Sequence, residues 1–399
     1  MRLCVLGRQP YLGIAELESI LGPDLVRPFG KGFAITRGND KAIKQENLGG
    51  TIKIGEVIAI IRQTELHLME REVMEILERH AIPKTGNADH KLNIGISAYN
   101  VGADEKAVRD LLFKFKDRLE KKHISARVIS PKGTVLNSAQ VQHNKLMGPS
   151  GSEFIIAGDE RETCIARTIS VQNITSYSKR DYDRPGRDIV TGMLPPKLAQ
   201  IMLNLGSVKR DTTVLDPFCG TGVVLMEAAL TGAVVTGSDI NPKMVSMTKE
   251  NLSWLSKEFN VDTAQANVMC ADATTSTWKP MPEKVVSETY LGPPLHSLPK
   301  PHELENIVKE CDRIVENFLV NLRPQLRPES RCCIAVPMWN TRKGLIQLPI
   351  VDNIKELGYS RVWFSHVRPG QLIYRRPDQV VARQLLVLVP RYDKNRKRY

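Results

Sequence analysis

The stretch Val214–Asp239, VLDPFCGTGVVLMEAALTGAVVTGSD, constrains the fold more than any other part of the chain. A short apolar strand ends at Asp216, and glycines 220 and 222 open an apolar helix. A second strand over Ala233–Thr236 then leads to an acid at Asp239. Strand, glycine turn, helix and strand in this order predict parallel strands with a ligand cleft at their carboxyl ends.

The residues of that cleft have separable tasks. Asp216, at a strand end, is placed to accept from backbone amides or from a ligand amino group. Gly220 and Gly222 remove Cβ atoms where the chain bends close to a ligand. Pro217, Phe218 and Thr221 complete the turn, and the free amides of the following helix favour an acceptor. Asp239 falls about 20 residues beyond the glycines, the spacing at which an acid binds two ribose hydroxyls, with Ile240 next to it. VMCAD over residues 268–272 reads as a third strand ending in Asp272, which with Ala273 is a candidate for the adenine end. Met193 and Pro195, ahead of an apolar helix, are candidates to cap the methionine end. A dinucleotide fits less well, because Leu225 stands where the third glycine of that fingerprint is needed. No GK[ST] follows the glycines, so a P-loop is absent. The pattern points to S-adenosyl-L-methionine.

The rest of the chain supplies context. At 399 residues and 42% hydrophobic content it is long enough for two or three globular domains. No 18-residue uncharged apolar window and no signal-like start occur, so a cytoplasmic protein away from the membrane is expected. Seven scattered cysteines without a CxxC pair imply reduced thiols and no metal site. The net charge of +12 fits a polyanionic partner, with clusters at Lys114–His123, Lys179–Arg187, Arg323–Arg331 and Arg391–Arg398; a merely solvated basic surface is the alternative. Helices are predicted over Glu70–His80 and Lys106–Lys122, where Val108, Leu111, Leu112, Phe115 and Leu119 recur at helical spacing. Four domain-level segments follow: 1–60, 61–171, a polar linker over 172–190, and an α/β domain over 191–399. The last is expected to end in an antiparallel pair that closes an otherwise parallel sheet.

Several of these segments together resemble the THUMP-containing RNA methyltransferases, particularly the archaeal tRNA guanine-10 branch. RLCVLGRQPYLGIAELESIL resembles that family's ferredoxin-like N-terminal module. SARVISPKGTVLNSAQVQHNKL through DYDRP resembles its THUMP domain and exit linker. GMLPPKLAQIMLNL and VLDPFCGTGVVLMEAAL resemble the start and cofactor loop of its Rossmann-like catalytic domain. The resemblance implies an S-adenosylmethionine-dependent transfer to the exocyclic amine of a guanine in tRNA. It further implies that the THUMP region holds the tRNA, with Lys121, Lys122, Arg127, Lys132, Asn137, Gln140 and His143 as candidate RNA contacts. A monomer or weak dimer is expected, and a small activating protein partner is left open.

In amino-group methyltransferases the fourth strand ends in (Asp/Asn)-Pro-Pro-(Tyr/Phe), whose polar residue accepts from the target amine. Here the corresponding stretch is VVSETYLGPPLHSLP over Val285–Pro299. The favoured register sets Glu288 at the acid position, Thr289 and Tyr290 at the prolines, and Leu291 at the aromatic. Another sets Gly292, Pro293, Pro294 and Leu295 over the motif and loses the polar residue. Tyr290 or His296 is then needed to replace the missing stacking ring. Two alternatives stay open: a cofactor- and RNA-binding homologue with weak or no catalysis, and a methyltransferase for DNA or another substrate.

Overall fold

The computed structural model describes residues 1–38, 43–81, 91–188, 193–377 and 379–391. It divides into two compact units: residues 1–14, 21–46 and 50–176, and residues 15–20, 47–49 and 177–399. The basic cluster beyond Arg391, and the start of GMLPP at Gly192, lie outside the described residues.

The first unit is built on one eight-stranded sheet. Its strands are β1 (Arg2–Leu6), β2 (Val26–Phe29), β3 (Phe33–Thr36), β4 (Thr51–Ile61), β5 (Leu92–Tyr99), β6 (Ala126–Ile129), β7 (Gly151–Gly158) and β8 (Thr163–Val171). They run in the order β2-β3-β1-β4-β8-β7-β5-β6. β4 pairs antiparallel with β1 on one edge and with β8 on the other. The sheet therefore continues across residues 60 and 61, where a domain boundary was expected. Helices α2 (Leu66–Ala81), α3 (Glu105–Lys121) and α4 (Ser138–His143) belong to this unit, and α1 (Pro10–Leu21) holds residues of both units.

α2 and α3 form because their apolar residues fall on one stripe, and they bury it together. Val73 and Leu77 of α2 join Val108, Leu112, Phe115 and Leu119 of α3 in a core with Ile94, Ile96 and Phe154. Phe115 meets Phe154 edge to face at 5.9 Å. Each such side chain contributes about 1.5–3 kcal/mol on burial. Asp104 caps α3 by accepting from the Ala107 amide at 2.7 Å. A charged pair lies in the same unit: Lys53 of β4 meets Glu153 of β7, both fully buried. Glu153 also accepts from Ser97 at 2.5 Å and Thr168 at 2.6 Å, and Lys53 donates to the Leu136 carbonyl at 2.6 Å. Burial pushes the Lys53 ammonium pKa down, against the pull of Glu153.

The second unit opens within the segment expected as a linker, and that expectation is corrected. α5 (Ile174–Ser178) runs into a π-helical turn over Lys179–Asp183. Arg180 there pairs with Glu227 at 2.6 Å, the two side chains 6% and 1% exposed, and its guanidinium lies 4.7 Å from the Tyr177 ring. Arg184 is buried as well. Polar composition suggests solvated chain, whereas Arg180 is paired and stacked in the interior and Arg184 is buried beside it, donating to the Arg180 carbonyl.

α6 (Pro196–Leu205), α7 (Val223–Leu230), α8 (Pro242–Phe259) and α9 (Pro301–Leu322) surround a second sheet. It holds β9 (Thr213–Asp216), β10 (Val234–Asp239), β11 (Asn267–Cys270), β12 (Lys284–Glu288), β13 (Arg331–Thr341), β14 (Gly344–Ile346), β15 (Tyr359–Arg361), β16 (Ile373–Tyr374) and β17 (Val381–Pro390). The main order is β11-β10-β9-β12-β13-β17-β15, with β14 on β13 and β16 on β17. β9 to β13 pair in parallel along that path, and β17 is antiparallel to both β13 and β15. The order reverses at β9, so the carboxyl ends of β9, β10 and β12 face one crevice. No helix among the described residues is long and apolar enough to cross a membrane.

Candidate active site

The crevice is a cavity of about 660 Å³ at the carboxyl ends of β9 to β12. Its floor is the turn after β9. Gly220 (φ 51°) and Gly222 (φ 83°) both lie in the left-handed region, and a Cβ on Gly222 would come within 2.8 Å of the Thr248 methyl. α8 fastens this turn from behind. The Thr248 hydroxyl donates to the Gly220 carbonyl at 2.7 Å, and the buried Asn251 amide donates to the Thr221 carbonyl at 2.7 Å. Asn251 also exchanges two 2.8 Å hydrogen bonds with the backbone of Gly186, tying the entry segment to the same turn.

Among the acids that line the cavity, Asp216, Asp239 and Asp272 each accept from nearby backbone amides. Asp239 accepts from the Gly220 amide at 2.9 Å and the Asn241 amide at 2.8 Å. Asp272 accepts from the amide and hydroxyl of Thr274, both at 2.8 Å. Asp216 Oδ1 accepts from the Ser287 hydroxyl at 2.6 Å and the Phe218 amide at 3.2 Å. Asp216 is 2% exposed with no cation beside it among the described residues, and burial pushes its pKa up to about 7 despite these hydrogen bonds. Phe218 is braced edge to face by Phe318 of α9 at 5.0 Å.

The fourth strand brings the expected catalytic stretch to the same cavity. Glu288, Thr289, Tyr290 and Leu291 all line it, and Gly292 follows. Pro293, Pro294, Leu295 and His296 are not among the lining residues, whereas Glu288 to Gly292 are. Thr289 anchors the turn by donating from both its amide, at 3.0 Å, and its hydroxyl, at 3.1 Å, to the Ala335 carbonyl. Tyr290 is 37% exposed, so its ring is the aromatic surface at this end. Glu288 pairs with Arg383 of β17 at 2.8 Å, the side chains 17% and 7% exposed.

Of the other expected cofactor residues, Met193, Pro217, Phe218, Gly220, Thr221, Ile240 and Ala273 line the cavity. Two do not. Pro195 immediately precedes α6 and Gly222 immediately precedes α7, so both shape the backbone where these helices start. The structure adds lining residues that the sequence did not single out: Asp188, Asn241, Met244 and Thr274, and from α9 Glu310, Arg313 and Asn317. The α9 residues recur at helical spacing opposite the buried Cys311, Val315 and Phe318. Their polar periodicity was the available signal.

The candidate RNA residues belong to the first unit. Asn137 and Gln140 form a reciprocal capping box on α4: the Asn137 side chain accepts from the Gln140 amide at 2.9 Å, and the Gln140 side chain accepts from the Asn137 amide at 3.0 Å. Lys122 pairs with Glu78 at 2.6 Å, as does Arg118, and Lys114 pairs with Glu70 at 2.6 Å. That basic helix is thus partly neutralised by α2. Lys121, Arg127, Lys132 and His143 are exposed.

Comparisons with known proteins agree with this site. Residues 184–277 match the family model UPF0020, described as RMKL-like, methyltransferase domain. A tRNA (guanine(10)-N2)-dimethyltransferase from Methanothermobacter thermautotrophicus is 31% identical over 156 residues, 39% of this chain and 42% of the relative. A protein of the same name from Methanocaldococcus jannaschii is 39% identical over 106 residues, 25% of this chain and 29% of the relative. The chain thus spans less than half the length of either curated relative. The crystal structure of TrmN from Thermus thermophilus covers 98% of both chains with a TM-score of 0.54 at 15% identity, a likeness of fold.

Proposed function

We propose that the protein is an S-adenosylmethionine-dependent tRNA methyltransferase acting on the exocyclic amine of a guanine. The observation that carries this reading is one cavity lined by Asp216, Asp239 and Asp272 at three adjacent strands and by Glu288 at the fourth. The names of the curated relatives support tRNA guanine as the substrate.

The donor set fits the cofactor. Asp216 is a buried carboxylate without a cation among the described residues, and an amino-acid ammonium supplies the missing charge. Each oxygen of Asp239 accepts one backbone bond, which leaves a lone pair on each for a ribose hydroxyl. Asp272 Oδ2 has no partner among the described residues and is open to the adenine amine, since Thr274 engages Oδ1. Ile240, 70% exposed, offers an apolar face for the base. Bound S-adenosylmethionine supplies an electrophilic methyl group. Glu288 then accepts from the target amine and aims its lone pair towards that methyl, while Tyr290 provides a stacking face. A carboxylate only accepts hydrogen bonds. It matches guanine, where the amine neighbours a second N–H donor, better than adenine, where the amine neighbours a ring acceptor.

The first unit takes the THUMP-like role of holding tRNA, through the exposed Lys121, Arg127, Lys132 and His143. Binding through phosphate contacts weakens by roughly 0.7–0.9 logarithmic units per contact for each tenfold rise in salt. The test is transfer of labelled methyl from S-adenosylmethionine to bulk tRNA and to a DNA duplex. Label in tRNA alone is expected. Label in the duplex alone, or in neither despite binding of both ligands, overturns the proposal.

A further inference from the structure

Arg383 does not line the cavity, yet it is paired with Glu288, which does. The strand register explains the contact. Glu288 of β12 lies beside Ala335 of β13, which lies opposite Leu385 of β17, so these three side chains share one face. Arg383 is two residues from Leu385 and therefore on that face, opposite Pro337. β13 carries only a methyl group and a proline ring where the long arginine crosses. The guanidinium reaches over this low part of the sheet to the end of β12, where Nε donates to Glu288 Oε1 at 2.8 Å. Nη1 donates to Gln379 Oε1 at 3.3 Å, fixing the other end of the planar group.

Glu288 Oε2 has no partner among the described residues, so one carboxylate oxygen is held and the other is left for a ligand. Glutamate is one methylene longer than the aspartate of the family motif and has one more rotatable bond. A fixed anchor on Oε1 removes that freedom. We propose that Arg383 is a positioning residue for methyl transfer, holding Glu288 by Oε1 so that Oε2 meets the target amine. This role rests on the methyltransferase reading above. It also accounts for a glutamate standing where a shorter acid is usual: the extra length is taken up by a salt bridge from the far side of β13.

The test compares the parent protein with Arg383→Gln, Arg383→Lys, Glu288→Gln and the double variant Glu288→Gln/Arg383→Gln. The readouts are single-turnover methyl transfer to tRNA, S-adenosylhomocysteine affinity by titration, and melting temperature. Arg383→Gln should transfer about 10- to 100-fold more slowly, the scale of a displacement near 1 Å, with cofactor affinity unchanged. The lysine variant, which keeps a point charge, should fall between the parent and the glutamine variant. The double variant should be no slower than the slower single variant, since both changes act through the one Glu288 side chain. Parent-like transfer by Arg383→Gln overturns the role, and so do multiplicative losses in the double variant. Equal losses of cofactor affinity and transfer make Arg383 merely structural. Should the glutamine variant fail to fold, parent-like transfer by the lysine variant likewise overturns the role. A parent protein that transfers nothing overturns the functional reading and this role with it, whereas an active parent beside an unaffected Arg383→Gln overturns this role alone.

Discussion

The two ends of the cavity hold their acids by different means. At the β9–β11 end each carboxylate accepts from backbone amides of its own turn or of the adjoining glycine loop, Phe218 for Asp216, Gly220 and Asn241 for Asp239, Thr274 for Asp272, and Asp216 accepts in addition from the Ser287 hydroxyl of β12. At the β12 end the carboxylate is oriented by the side chain of Arg383, 95 residues further along the chain. Backbone amides come with the turn that carries the acid. A salt bridge depends on two strands meeting in register across a third. Apart from the Ser287 hydroxyl on Asp216, the first end is therefore written in a short motif, and the second depends on the assembled sheet.

Variants at the two ends should separate binding from transfer. The largest effect is expected at the β12 end. Glu288→Ala removes the acceptor for the target amine and should slow transfer about 100-fold or more, with S-adenosylhomocysteine affinity retained. Asp239→Ala should do the reverse. Loss of a charged acceptor is worth about 2 kcal/mol, roughly 30-fold in cofactor affinity, and saturating cofactor should restore much of the rate. A titration showing equal effects on both quantities in both variants would erase the contrast.

Asp216 gives a pH signature of intermediate size. Its pKa is raised to about 7, and the carboxyl must ionise to take an ammonium. S-adenosylhomocysteine affinity should therefore rise with pH up to about 7 and level off above it, with about a tenfold loss at pH 6. Asp216→Asn should flatten that profile. The same sign means the ligand-free protein gives up stability as pH climbs from about 4 to about 7, because the folded state holds this proton more tightly than the unfolded chain. Melting of the parent and of Asp216→Asn across that range checks it. The smallest effect is expected for Thr274→Val, which removes the hydroxyl bond to Asp272 and keeps the amide bond. One neutral donor of about 1 kcal/mol predicts roughly fivefold weaker cofactor binding.

What could be read from the sequence follows the same division. The glycine turn, the strand end at Asp216, the acid at Asp239 and the antiparallel closing strand β17 were all legible, since each rests on local pattern, although β10 runs three residues past the expected end at Thr236. The amphipathic α2 and α3 were legible for the same reason. Arg383 was not, because a lone arginine in VARQLLVLVP carries no sign of its partner. Asn251 was missed as an ordinary polar residue of α8, although it clamps the cofactor turn. The segment 172–190 reads as linker because its charges suggest solvated chain, while Arg180 and Glu227 are buried together. A boundary at residue 60 cuts through β4 because a sequence does not reveal that one strand has partners on both edges.

Mass-spectrometric mapping of modified nucleosides in tRNA incubated with the protein and S-adenosylmethionine tests the methyltransferase reading most directly. The expected product is guanosine methylated on its exocyclic amine, lost in Glu288→Ala and retained at reduced level in Asp239→Ala. Methyl groups on adenosine or on ring nitrogens, or none although cofactor and tRNA both bind, would contradict that reading.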